Sequence, residues 1–160
     1  MPEDPKKPNA PSGAQPGTFA EPFRDYNFKL LFTPTDIPEG HFTQCSGIGV
    51  KVGPISYREG GNAQIVHRLH GHVEYSPVTL RYGLTKSQEL WEWMMTAVNG
   101  AVQRRTVHIL MLNPQGAEEQ LRWTLVDAWP TSWQGAPLDA MSNLVAIESL
   151  ELVYEKLQRQ

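Results

Sequence analysis

The sequence predicts a mainly β, α+β domain: an antiparallel β-barrel or sandwich of about seven strands with one packed α-helix. Three observations carry this. Short stretches alternating apolar and polar residues recur along the chain, Gly- and Pro-rich turns separate them, and a single stretch follows a helical period.

The elements follow in chain order. Residues 1–22 hold six of the 13 prolines and almost no apolar side chains, too little to offset the entropy of ordering. This predicts a disordered Pro-rich tail over 1–22 and a folded domain over 23–160. YNFKLLF (26–32) places Tyr26, Phe28, Leu30 and Phe32 on one face, the mark of a half-buried strand. TPTDIPEGH (33–41) reads as a loop. FTQCSGIGVKVG (42–53) is a second strand whose glycines suggest a bulge or a close backbone approach, continued by ISYRE (55–59) and QIVHRL (64–69) around Gly60-Gly61. VEYSPVTLRYG (73–83) alternates again, and Pro77 argues for an edge or a bulge.

TKSQELWEWMMTAVNG (85–100) is the helix. Thr85 with Gln88 suggests a capping box and Asn99-Gly100 a stop. Leu90, Trp91, Met94, Ala97 and Val98 define the expected buried face, with Trp93 and Met95 on its flanks. TVHILML (106–112), an NPQG turn and QLRWTLVDAWP (120–130) form a hairpin. VAIESLELVYEKL (145–157) is the final strand, with Leu150, Leu152 and Tyr154 on one face.

Composition excludes several classes of function. A net charge of −3 gives no basic field for nucleic acid or anionic lipid, so no specific nucleic-acid or membrane binding is expected. Cys45 is the only cysteine, which rules out an intramolecular disulfide and a multi-cysteine zinc site. No apolar run reaches the roughly 20 residues needed to span a bilayer. The start, MPEDPKKPN, lacks the apolar core of a secretory signal, so assembly in the cytoplasm without a signal peptide is expected.

The main chemical suggestion lies in YREGGNAQIVHRLHGH (57–72). His67, His70 and His72 with Glu74 offer nitrogen and oxygen ligands for zinc, iron or manganese, and strand alternation would put His70, His72 and Glu74 on one face. That is the basis of one reading, a small metal-dependent β-barrel enzyme. Against it, Glu74 follows His72 too closely for a cupin-type pattern, and His108 is the only later histidine. No GxSxG, phosphate loop or HExxH occurs. No catalytic residue, metal ligand or cofactor is therefore assigned.

FRDYNFKLLF (23–32), QCSGIGVKVGPISYREGGN (44–62), HRLHG, VTLRYGLTKSQELWEWM (78–94) and DAWPTSWQGAPLDAMSNLVAIESLELVYE (127–155) resemble, in order, the inner tail-tube proteins of contractile phage tails and phage-tail-like extracellular contractile injection systems. The resemblance implies a structural, non-enzymatic subunit. It would assemble into homohexameric rings that stack around a channel able to hold protein cargo. The implied partners are copies of itself, a sheath protein, baseplate and spike components and a tube-terminating cap, in a phage tail or a released injection particle. A tube-initiator paralogue joining spike to tube, and the tube of a type VI secretion machine, are neighbouring readings. Tyr57, Arg58, Glu59, Gly60 and Gly61 resemble the family loop that reaches a neighbouring subunit or ring. Trp93, Met95, Trp133 and Asn143 complete the expected subunit interface.

Overall fold

The computed structural model describes residues 26–34, 42–61, 65–84, 86–141 and 143–160. The expected tail over 1–22, most of the 33–41 loop and Thr85 of the expected capping box lie outside them.

The described strands are β1 (Phe28–Thr33), β2 (Phe42–Ser46), β3 (Val50–Tyr57), β4 (His67–Tyr75), β5 (Val78–Gly83), β6 (Arg105–Leu112), β7 (Glu119–Gln134), β8 (Ile147–Val153) and β9 (Lys156–Arg159), with α1 (Glu89–Val98) between β5 and β6. The architecture agrees with the sequence: antiparallel β with one helix. Three expected strands divide. Residues 47–49 separate β2 from β3, Ser76-Pro77 separates β4 from β5, and a short break after Val153 separates β8 from β9.

Seven strands form one antiparallel sheet in the order β1-β6-β7-β8-β5-β2, with β9 added to β7; among the described residues β3 and β4 pair only with each other. The long β7 serves both halves of the large sheet. Its first part pairs with β6 and β9, and its last part with β8. The corner between them is a bulge: Arg105 and Val107 pair with Ala128 and Leu125, so β7 carries one extra residue there. Asp127, at the corner, has φ 54. A bulge bends a strand and increases its twist, which is what curls this sheet around a core.

The core follows from alternation. Leu30 and Phe32 of β1, Val78, Leu80 and Tyr82 of β5, Val107 and Ile109 of β6, Leu125 and Ala128 of β7, and Leu150 and Leu152 of β8 are buried together. β1 and β2, the ends of the sheet path, are bridged by rings rather than by backbone hydrogen bonds: Phe32 lies 6.1 Å from Phe42, which meets Tyr82 edge-on at 5.8 Å.

Helix α1 corrects the expected buried face. Leu90 and Trp93 are the residues it buries, whereas Trp91 and Val98 are exposed. Several large apolar side chains between Trp91 and Met95 fit more than one 3.6-residue stripe, and the sheet beneath selects among them. Trp93 is 1% exposed, sits edge-on to Phe32 at 5.8 Å and donates its indole N–H to the Gln103 carbonyl at 2.7 Å. It is a core residue, so its assignment to a subunit interface is withdrawn. The helix stop agrees with the sequence: the N–H groups of Gly100 and Ala101 donate to the carbonyls of Ala97 and Thr96, a Schellman closure.

Candidate self-association surface

β3 and β4 form a two-stranded ribbon that stands off the barrel. Its base is tied down at Gly49, whose carbonyl accepts hydrogen bonds from the Ser76 N–H (3.0 Å) and the Tyr154 hydroxyl (3.2 Å). Tyr75 packs on Tyr154 with centroids 5.5 Å apart. Beyond that base the two strands touch chiefly each other.

The ribbon is apolar where a solvated ribbon would be polar. Val50, Val52, Ile55, Tyr57, Leu69 and Val73 are each 44–55% exposed. An isolated two-stranded ribbon is at best marginally stable in water, and an exposed apolar patch usually marks an interaction surface. The register shifts between Val52 and Pro54: Val52 pairs with Val73, but Pro54 pairs with His70. Gly71 and His72 together oppose Gly53, which makes a bulge on β4.

Tyr57, Arg58, Glu59, Gly60 and Gly61 gather at the outer end of this ribbon, all exposed. Gly61 has φ +108, a conformation that favours glycine and fits a chain reversal there. Met95 is half-buried on α1. Trp133 is half-buried at the end of β7, packs edge-on against Trp91 at 4.7 Å and donates its indole N–H to the Tyr82 hydroxyl at 3.2 Å. Asn143 is exposed in the connection between β7 and β8, together with Leu138, Met141, Leu144 and Val145, which are 75–94% exposed. Five of the expected residues thus gather at the ribbon's outer end, while Met95, Trp133 and Asn143 lie separately on α1, on β7 and in the connection that follows it.

The ribbon's valines and isoleucine were not picked out from the sequence. Their alternation was visible, but alternation reports only that one face differs from the other, not that both stand clear of the barrel. The apolar residues of 138–145 had a simpler signal: they lie in a Gly- and Pro-bearing connection where a solvated loop would be polar.

The histidines do not converge as alternation suggested. The bulge sends His70 to the face of Val52 and leaves His72 on that of Gly53 and Glu74, so the expected grouping of His70, His72 and Glu74 is divided. Among the described residues, no three His, Cys, Asp or Glu side chains group as a metal site. Cys45 lines a cavity of about 420 Å3 at the seam between β1 and β2, with Phe28, Ile48, Ile109, Met111 and Trp123. Burial pushes its thiol up to about 11, so at neutral pH it is a protonated, apolar side chain and not a nucleophile. Burial likewise pushes the Tyr82 hydroxyl up to about 12. Two ion pairs, Arg104–Glu155 and Arg122–Glu119 (2.6 Å), lie at the surface and contribute little to stability. Among the described residues no helix is long and apolar enough to cross a membrane.

Residues 24–158 match the family model described as T4-like virus tail tube protein gp19. No curated protein sequence is a significant match. Among solved structures, the chain is similar to one in a cryo-EM structure of an extracellular contractile injection system, the PVC sheath/tube terminator in the extended state. There the TM-score is 0.80 at 26% identity, covering 89% of this chain and 99% of that one. A chain in the PVC sheath-tube complex in the extended state gives 0.77 at 26% identity, covering 87% and 91%. One in the baseplate of the anti-feeding prophage, 6-fold symmetrised, gives 0.78 at 27% identity, covering 89% and 97%. Hcp1 from Flavobacterium johnsoniae shares the fold at 13% identity and a TM-score of 0.54, covering 82% and 93%.

Proposed function

From the chain's membership of the T4-like virus tail tube protein family, we infer that it is a structural subunit of the inner tube of a contractile injection system or phage tail. Six copies form a ring, and rings stack around a channel through which cargo passes. The work is mechanical. The tube supplies a stiff conduit, and its surroundings are a sheath outside, a baseplate at one end and a cap at the other. No catalytic step is assigned to it.

The observation that carries this reading is the ribbon, with apolar side chains in solvent and unpaired strand edges. For a monomer such edges are an aggregation hazard; in a closed ring identical copies cover them, and cyclic symmetry ends the growth. Arg58 and Glu59 at its outer end provide charges for pairing across the contact. Met95 on the helix, Trp133 at the end of β7 and Asn143 within the apolar 138–145 connection provide further contact positions.

Negative-stain electron microscopy of the concentrated protein tests the reading. Rings or hollow rods are expected; a uniformly monomeric protein at all concentrations overturns it. The chain is about as similar to a protein of the sheath-tube complex as to one of a baseplate. Copy number in a purified particle therefore separates a main tube protein, present in many rings, from an initiator present in one.

A further inference from the structure

We propose that Phe23, just ahead of β1 in the same chain, seats its ring in the cavity at the seam between β1 and β2. Each subunit then closes its own barrel, and residues 1–22 leave it from a fixed point. The inference does not depend on the tube reading, because the contact lies inside a single copy.

The seam is where the large sheet stays open. β1 pairs with β6 and β2 with β5, and among the described residues β1 and β2 share no backbone pairing. Phe32 and Phe42 bridge one end of the seam. Toward the other end lies the cavity of about 420 Å3, between Phe28 of β1 and Cys45 and Ile48 beside it, with Ile109, Met111 and Trp123 beneath. Phe28, Cys45, Ile48 and Trp123 pack against the core, yet each is only half-buried. No charged side chain lines the space, so its occupant is apolar.

The chain brings such a group to that place. It enters β1 at the cavity's own end. Asn27 is pinned there, its side-chain amide donating to the carbonyls of Asn113 (3.0 Å) and Pro114 (3.3 Å), and the next residue, Phe28, lines the cavity. Within residues 1–25 the aromatic side chains are Phe19 and Phe23, and Phe23 has the shorter tether. It stands three positions before Tyr26, a reach of up to about 10 Å in extended chain. Pro22 favours an extended backbone at Glu21, and Glu21 and Arg24 bracket the apolar Pro22-Phe23 pair, so the charges stay at the mouth.

Size and tethering favour this occupant. A cavity of roughly 150 Å3 holds a benzene ring, so the seam accepts the Phe23 ring with room for Pro22 beside it. A segment joined to the site by a few residues has an effective concentration on the order of millimolar, above that of a dilute apolar solute or of a second copy.

Cys45, the one thiol, reports on the cavity it lines. The test alkylates the full, folded chain with iodoacetamide at pH 8 over a range of protein concentrations and follows the thermal transition in parallel. Wild-type protein should be protected equally at every concentration. Phe23→Ala should react about tenfold or more faster, Phe23→Leu should restore protection, and Phe19→Ala should leave it unchanged. Should Phe23→Ala unfold the barrel, Phe23→Cys supplies a second reading: mild oxidation should join it to Cys45 within one chain, faster than it does Pro11→Cys. Equal alkylation of folded wild type and Phe23→Ala overturns the proposal, as does equal cross-linking of the two cysteine variants. Protection that appears only where copies associate gives the cavity to a second copy instead. A wild-type melting temperature raised by millimolar toluene as much as that of Phe23→Ala shows a cavity open to free solutes, and also overturns it.

Discussion

Gly71 packs against the carbonyl of Gly53 so closely that no larger residue fits: the oxygen lies 2.0 Å from where a Cβ would be. The nearest obstacle is the Gly53 backbone carbonyl, whose carbon lies at 3.1 Å, not the end of a flexible side chain, so a methyl group there must push the strands apart. Gly71→Ala should therefore break the bulge and shift the register between β3 and β4. Assembly into rods is expected to fall sharply, while the barrel's melting temperature changes by only a few degrees, because the ribbon contributes little to the core. Thermal unfolding with sedimentation on the same preparation checks this, and unaltered assembly would show that the bulge is dispensable.

The two tryptophans first grouped as interface residues should part company. Trp93→Ala empties a fully buried site and should cost about 3–5 kcal/mol in denaturant unfolding. Trp133 is half-buried, and its loss removes the contact to Trp91 and the hydrogen bond to Tyr82. Trp133→Ala should cost clearly less folding stability than Trp93→Ala and reduce assembly beyond what that stability loss explains. An assembly defect that merely tracks stability would make Trp133 a packing residue and nothing more.

Asp127 holds a left-handed backbone, φ 54, at the corner where β7 passes from one half of the sheet to the other. Asp tolerates that region better than most residues, and a β-branched residue tolerates it poorly. Asp127→Gly should stay within about 1 kcal/mol of wild type, and Asp127→Val should lose about 1–3 kcal/mol. Equal stabilities by chemical denaturation would mean that the corner relaxes.

Cys45 gives a pH dependence with a defined sign. Its folded thiol titrates near 11 because burial disfavours the thiolate, while in the unfolded chain it ionises near 9. Between those values the native state binds more protons, so stability falls as pH rises, by roughly 2 kcal/mol at pH 11 from this group. Tyr82, pushed up to about 12, adds a loss in the same direction above pH 10. Cys45→Ala should flatten the decline between pH 9 and 11 in urea titrations. In the native protein the thiol should also resist iodoacetamide at pH 8 and react on unfolding. An unchanged slope in the variant would remove Cys45 as its source.

The strands were legible because a barrel strand with one buried face must alternate. Leu30 and Phe32, Val78 and Leu80, and Leu150 and Leu152 declare their inward faces two residues apart. The helix stop was legible because Asn99-Gly100 is a local device that closes on the preceding turn. The helix face was not, since Trp91, Trp93, Met94 and Met95 crowd one turn and any of several stripes would be apolar. Phe32 and the cation of Arg105, 5.1 Å from the Trp93 ring, select Trp93 from distant parts of the chain.

For the association surface, the sequence pointed to the ribbon's outer end, Tyr57 to Gly61, through resemblance. It did not show that the strands behind that end carry apolar residues on both faces. The histidine grouping failed for a related reason: alternation counts residues along one strand, whereas a bulge is a relation between two.

Local chemistry, then, was enough to determine the β class, the single helix and its stop, and the inward residues of most strands, because each follows from a period or a turn within a few residues. The tertiary structure decided which indole is core, how β7 turns its corner, and which way each half of the ribbon faces. Those depend on cross-strand register and on what lies opposite, and register is set by contacts between residues far apart in the chain.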